Sequence, residues 1–330
     1  MRYRYGHSFR QESGGAAHRG GIAVAEAPER CALLEAIGGT PLLSLARVGR
    51  DLPPGVELFA KAEFMNPSGS LKDRTARAII EAAEADGRLT PDRTILDATS
   101  GNGGISYAMI GTALGYRVAL CLPANATPER KGILRACGAA LIETDPAQGS
   151  DGARRWAAEL VRAAPDRYFH ALQHDNQANW LAHYRTTAAE IWSQSCGRVT
   201  HFVAGIGTSG TFMGIARRLK ELNPGLRAVS VQPDRAEHGL VGLKHMASAL
   251  VPRIYDPALA DLDLAVSTAE AWAMCRRLLR EEGLLVGPSA GASVAAALQV
   301  ARGLAPGSVV VTVLFDSGTR YLAEGRWTES

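Results

Sequence analysis

From residue 94 onward, short runs that are apolar at nearly every position alternate with longer runs whose apolar residues recur every three or four places. The first kind reads as a strand covered on both faces and the second as an amphipathic helix. Strand "TILDA" precedes helix "GGISYAMIGTALG", strand "RVALCLP" precedes helix "TPERKGILRACG", and strand "AALIET" precedes helix "GARRWAAELVRAA". A second series opens near residue 177, with strands "HFVAGI", "RAVSVQP" and "SVVVTVLFD". The pattern predicts an α/β protein with two parallel sheets flanked by helices, hence two lobes and a cleft between them. Residues 1–30, with "ESGGAAHRGG" in the middle, are polar and Gly-rich without a period and predict a flexible extension. Packing is expected to begin near "CALLEAIGGTPLL".

Composition narrows the picture. A chain of 330 residues that is 46% hydrophobic can bury a large core. The formal charge is +3 and its cations are scattered among acids, so no stripe for nucleic acid stands out. Five widely spaced cysteines without a CxxC pair suit a reducing compartment and read as core residues, Cys121 and Cys137 in particular. No apolar run reaches the roughly 18 to 20 residues that cross a bilayer. The start "MRYRYGHSFRQESGG" lacks the apolar centre of a signal peptide, so a cytoplasmic protein is expected. His170 and His174 have the i, i+4 spacing of helical metal ligands, but "FHALQHD" reads as strand and turn, and no metal is expected.

Candidate chemistry lies in three Gly-rich turns, each where a strand hands over to a helix, the place where open α/β sheets bind ligands. "DATSGNGG", residues 97–104, offers backbone N–H groups at a helix start and suits a carboxylate. "GIGTSGT", residues 205–211, has glycines that let the backbone close round a phosphate and hydroxyls on Thr208, Ser209 and Thr211. "GPSAGAS", residues 287–293, is the third. Gly205, Gly207 and Gly210 also fit the dinucleotide fingerprint GxGxxG. A nicotinamide enzyme, however, would place an acid at the end of the next strand, where "RAVSVQPD" has Gln232 before Asp234. A fourth stretch, "NPSGSLKDRTARAII", residues 66–80, brings Lys72 into a turn just ahead of a helical run. A lysine desolvated there can form an imine with an aldehyde and then serve as a base.

Taken in order, "NPSGSLKDR", "TSGNGG", "GIGTSGT" and "VGPSAGAS", with "QHDNQANWLAHYRTTAAEIW" and the closing "FDSGTRYL", resemble the fold-type II pyridoxal-phosphate enzymes of the cysteine synthase and cystathionine β-synthase family over about residues 32–325. The resemblance implies a tryptophan synthase β-like fold with a large cofactor lobe from residues 31–65 and 178–330 and a small substrate lobe from residues 66–177. It implies pyridoxal 5'-phosphate as cofactor, with Lys72 as the imine-forming catalytic lysine and Asn102 on the ring hydroxyl oxygen. Gly207, Thr208, Ser209, Gly210 and Thr211 would hold the phosphate and Ser289 the pyridine nitrogen. Thr99, Ser100, Gly101 and Asn102, with Gln173, would hold the substrate carboxylate. Two positions depart from the family pattern: Gly103 replaces a threonine and Ser209 a glycine.

The implied reaction is β-replacement on an activated serine, which suits a ring nitrogen faced by a neutral hydroxyl because little charge has to accumulate on the ring. Cysteine synthase, joining O-acetylserine and sulfide, is expected first. Cystathionine β-synthase is an alternative favoured by "PSAGAS". O-phosphoserine use is another, favoured by Lys244 in "GLVGLKHMASALVP", where the acetylserine enzymes carry an uncharged turn. A non-catalytic cofactor-binding scaffold is a remote third, against which Lys72 argues. The expected partners are an amino-acid substrate, a sulfur donor and a second copy of the chain.

Overall fold

The computed structural model describes residues 31–99 and 101–329, so the extension expected over residues 1–30 lies outside the described residues. Helix α1 (Ala32–Glu35) and strands β1 (Leu42–Ser44) and β2 (Glu57–Lys61) come first, followed by α2 (Lys72–Ala85). Strict alternation follows in β3 (Thr94–Ala98), α3 (Asn102–Ala113), β4 (Arg117–Pro123), α4 (Pro128–Ala136), β5 (Ala140–Thr144), α5 (Gly149–Ala163) and β6 (Tyr168–His170). Helices α6 (Gln177–Ala182) and α7 (Ala188–Gln194), joined through a π-helical turn over His183–Thr187, lead to β7 (His201–Gly205), α8 (Gly210–Leu222) and β8 (Arg227–Pro233). Strand β9 (Leu262–Val266), helices α9 (Thr268–Arg277) and α10 (Pro288–Ala301) and strand β10 (Val309–Val313) complete the order. No helix among the described residues is long and apolar enough to cross a membrane.

Local sequence explains several boundaries. The Thr127 hydroxyl accepts from the Arg130 N–H while Pro128 takes the first helical position, which starts α4. Ser267 and Glu270 form a reciprocal capping box at α9. All five residues of β3 and of β10 are buried, as strands between helical layers should be. Each buried valine of β10 contributes about 1.5 to 3 kcal/mol.

The strands form a four-stranded sheet, β5-β4-β3-β6, and a six-stranded sheet, β1-β2-β10-β7-β8-β9. The small sheet is wholly parallel. The large one is not, because β1 pairs antiparallel with β2, Leu43 opposite Ala60. The two parallel sheets expected from the sequence are present, and the 41–61 stretch adds an edge hairpin that needs no crossover helix. The chain corrects the cysteine reading. Cys121 and Cys275 are buried, but Cys31 and Cys137 are only half-buried and Cys196 is exposed; Cys196 sits at φ +52 in the turn after α7, and Cys137 caps the end of α4.

Two cores meet beside Lys72. Leu71 packs into the large cluster built on β7, β10, α8 and α10, while Ala76, Ile79 and Ile80 of α2 pack into a second cluster with β3, β4 and α3. A buried ionic network backs this junction. Arg74 pairs with Glu63 through Nε and with Glu190 through Nη1, each at 2.7 Å. Lys61, wholly buried, pairs with Glu190 at 2.6 Å and donates to the Gln194 side-chain carbonyl at 2.9 Å. Burial alone would raise the Glu190 pKa, but Arg74 and Lys61 together hold it down to about 2.

Candidate active site

The turns that follow β2, β3, β7 and β10 all open on one cavity of about 1060 Å³. This is the carboxyl-end crevice of an open α/β fold, and the large sheet changes direction at the same place, since β10 lies between β2 and β7.

Lys72 is the first residue of α2 and lines the cavity. Burial lowers its pKa from 10.5 to about 8, and the nearby Asp316 carboxylate pulls the other way. A useful fraction of the side chain is therefore the free amine near neutral pH. The turn after β3 brings Thr99, Gly101 and Asn102 to the same wall, and Gln173 closes it from the loop after β6. Ser100 lies outside the described residues. Gln173 is held from behind: its backbone N–H donates to the buried Asp97 carboxylate at 3.3 Å, and its backbone carbonyl accepts from Asn179 Nδ2 at 2.5 Å. Burial raises the Asp97 pKa to about 6. A Cβ added to Gly103 would stand 2.9 Å from Gln173 Oε1. The glutamine thus fills the space that the missing side chain leaves.

Across the cavity, the turn after β7 presents Gly207, Thr208, Ser209 and Thr211, while Gly210 stands behind the lining. Ser209 caps α8 in the left-handed region at φ +67, which accounts for the glycine expected there, and its buried hydroxyl has no partner. The glycines serve the protein's own packing as well as any ligand. A Cβ on Gly207 would sit 2.0 Å from the Gly242 carbonyl, and one on Gly210 would sit 2.0 Å from Asn179 Oδ1. An unpartnered buried hydroxyl at the start of a 13-residue helix, flanked by two threonines, fits a phosphate. Ser289, on the first turn of α10, lines the cavity wall. The donor set therefore fits pyridoxal phosphate: an amine for the aldehyde, a neutral hydroxyl for the ring and an N-terminal cradle for the phosphate.

A family model described as pyridoxal-phosphate dependent enzyme matches residues 33–316. The chain belongs to that family, and pyridoxal phosphate is its cofactor. It is 44% identical over 301 residues to a cysteine synthase of Aquifex aeolicus, covering 90% of this chain and 92% of the relative. It is 40% identical to cysteine synthase B of Salmonella typhimurium, over 90% and 96% of the two chains. Among solved structures, O-acetylserine sulfhydrylase isoform 3 from Entamoeba histolytica superposes with a TM-score of 0.86 at 34% identity, over 94% of this chain and 96% of that one. The fold is that of the fold-type II pyridoxal-phosphate enzymes. The dinucleotide reading of "GIGTSG" has no support from Gln232, whose side-chain carbonyl accepts from the Met246 N–H.

Two groups of cavity residues lie within the quoted motifs but had no role in the site assigned to them. Asp316, Arg320 and Tyr321 reach the cavity from the segment after β10. His174 lines it from the turn after β6, outside any helix, and burial with the charges of Arg154, Lys244 and Lys72 pushes its pKa down to about 3, so it is neutral. Lys244 lines the cavity, partly buried, on the segment that packs across the β7 turn, and its backbone N–H donates to the Ile206 carbonyl at 2.9 Å. The hydrogen-bonded clustering of "FDSGTRYL" residues could have been suspected from the motif, but their partners lie more than 200 residues away in sequence.

Proposed function

We propose that the protein is a cysteine synthase that replaces the acetate of O-acetylserine with sulfide. The observation that carries this reading is the meeting, on one cavity, of a lysine whose pKa is lowered to about 8, a carboxylate turn and a phosphate turn. Relatives named cysteine synthase at 40 and 44% identity support it. Bound pyridoxal phosphate supplies an aldehyde for amines and an electron-accepting ring. Lys72 would hold the cofactor and would take the substrate's Cα proton as the leaving group departs from Cβ. Thr99, Ser100, Gly101, Asn102 and Gln173 hold the carboxylate, so that Cα faces the lysine. Gly207, Thr208, Ser209, Gly210 and Thr211 hold the phosphate. Ser289 would meet the ring nitrogen with a neutral hydroxyl, adding no charge.

A second reading has one observation in its favour. Lys244 puts a cation on the cavity wall, which suits the dianionic leaving group of O-phosphoserine. We also place a large lobe in residues 31–65 and 178–330, a small lobe in 66–177, and the protein in the cytoplasm as a homodimer. Sedimentation at micromolar concentration should give twice the chain mass; a single-chain mass removes the dimer.

The test of the reaction mixes purified protein and pyridoxal phosphate with sulfide and, separately, O-acetylserine, O-phosphoserine or serine, and measures cysteine. O-acetylserine should react fastest, and Lys72→Ala should lose both cysteine formation and the yellow band of lysine-bound cofactor. No cysteine from any of the three would sink the reading.

A further inference from the structure

The closing motif "FDSGTRYL" converges on a single side chain more than 200 positions earlier in the sequence. Asn102, the first residue of α3, donates from Nδ2 to Asp316 Oδ2 at 2.7 Å, and its Oδ1 accepts from the Arg320 guanidinium. Arg320 also donates to the Ser68 carbonyl in the loop before Lys72. Asp316 is itself fixed: Tyr321 donates to its Oδ2 at 2.6 Å, and Gly287 leaves room for its Oδ1, where a Cβ would stand 2.3 Å away. The carboxylate is 1% exposed, and Oδ1 has no hydrogen-bond partner.

An asparagine amide has two ends of nearly equal shape and opposite hydrogen-bonding character. Here an anion stands at one end and a cation at the other. The reverse orientation would set the amide oxygen against the Asp316 carboxylate and the NH2 group against the Arg320 guanidinium, losing two charge-assisted bonds and creating two repulsions. The observed orientation uses one N–H of the amide on Asp316. The second N–H has no partner among the described residues, on a side chain that lines the cavity.

We propose that Arg320, opposed by Asp316, is a positioning residue that fixes the Asn102 amide with its NH2 group toward Asp316, leaving one N–H for the cofactor's ring oxygen. The inference rests on the reading of Asn102 as a donor to that oxygen. Arg320 then ties the segment after β10 to the loop before Lys72 and to the turn after β3, and cofactor affinity depends on a residue that does not itself hold the cofactor.

The experiment uses the full chain stripped of cofactor and titrated with pyridoxal phosphate by fluorescence, as wild type, Arg320→Met, Arg320→Lys, Asn102→Ala and the double variant Asn102→Ala/Arg320→Met. Melting of the cofactor-free proteins checks folding, and if Arg320→Met fails to fold, Arg320→Lys carries the comparison, alone and combined with Asn102→Ala. Losing Arg320 should raise Kd about tenfold when Asn102 is present, the worth of one charge-assisted bond. The same loss should be less than about twofold in the Asn102→Ala background, since additivity fails for groups that act as a unit. Arg320→Lys should restore part of the affinity. An equal loss in both backgrounds would mean that Arg320 works through Ser68 or general stability, and the proposal falls. An unchanged Kd in Arg320→Met overturns it outright. If Asn102→Ala alone leaves Kd unchanged, the Asn102 reading fails first and takes the proposal with it.

Discussion

Glu190→Gln probes the buried network behind Lys72 with almost no change of shape. Glu190 answers two cations, Arg74 and Lys61, and only Glu63 would remain to face them. Its pKa falls from 4.5 to about 2 on folding, and at 1.36 kcal/mol per unit this corresponds to about 3 kcal/mol. The folded-state value is the lower one, so this stability is fully present above pH 4.5 and is lost as pH falls toward 2. The variant should therefore lose about 3 kcal/mol near neutrality, and the gap to wild type should shrink by roughly 1 kcal/mol at pH 3.5. Urea unfolding of the cofactor-free proteins, followed by circular dichroism at pH 7 and pH 3.5, measures both, provided the slope m is unchanged. A loss below about 1 kcal/mol at pH 7 would refute the reasoning, given that removing one partner of a buried pair should cost several times that. So would a gap that is the same at both pH values.

Lys244→Ala should lower kcat/KM for O-phosphoserine about tenfold relative to O-acetylserine, the worth of one charge-assisted bond; an unchanged ratio, or a wild type that ignores O-phosphoserine, removes Lys244 from substrate choice. Gly207→Ala should weaken pyridoxal phosphate binding about tenfold or more, because the added methyl meets the Gly242 carbonyl, which is backbone and cannot swing aside. Fluorescence titration of the variant checks this, and wild-type affinity would show that the two turns can part without disturbing the cradle.

Much of the small sheet could be read from the chain because its strands are short, largely apolar runs and helices follow β3, β4 and β5 closely. Strand β2 was harder, since "ELFAK" ends in Lys61, and a lysine predicts exposure unless its partners are known. Those partners, Glu190 and Gln194, lie more than 120 residues further on. Strand β9, with three of five residues exposed, has the alternation of an edge strand and too short a run to stand out. The glycines of "GIGTSG" were legible as a turn, but their physical cause was only partly so. Gly207 and Gly210 are required by Gly242 and Asn179, contacts that no local pattern encodes. The orientation of Asn102 was hidden for the same reason, being set by residues 214 and 218 positions away.

The place of β10 also orders the assembly of the molecule. Residues 309–313 lie between residues 57–61 on one side and β7 on the other. A nascent chain can complete the four-stranded sheet once residue 170 has been made, since all its strands are by then available. The large sheet cannot close until residue 313 has left the ribosome, and through that interval β2 and β7 each carry an unpaired edge. Such late, long-range pairing is slow and leaves strand edges open to other chains. The turn after β10, which brings Asp316 and Arg320 to the cavity, comes later still. The site that takes up pyridoxal phosphate is therefore finished only after residue 320 has emerged, and cofactor uptake can report that the whole sheet has formed.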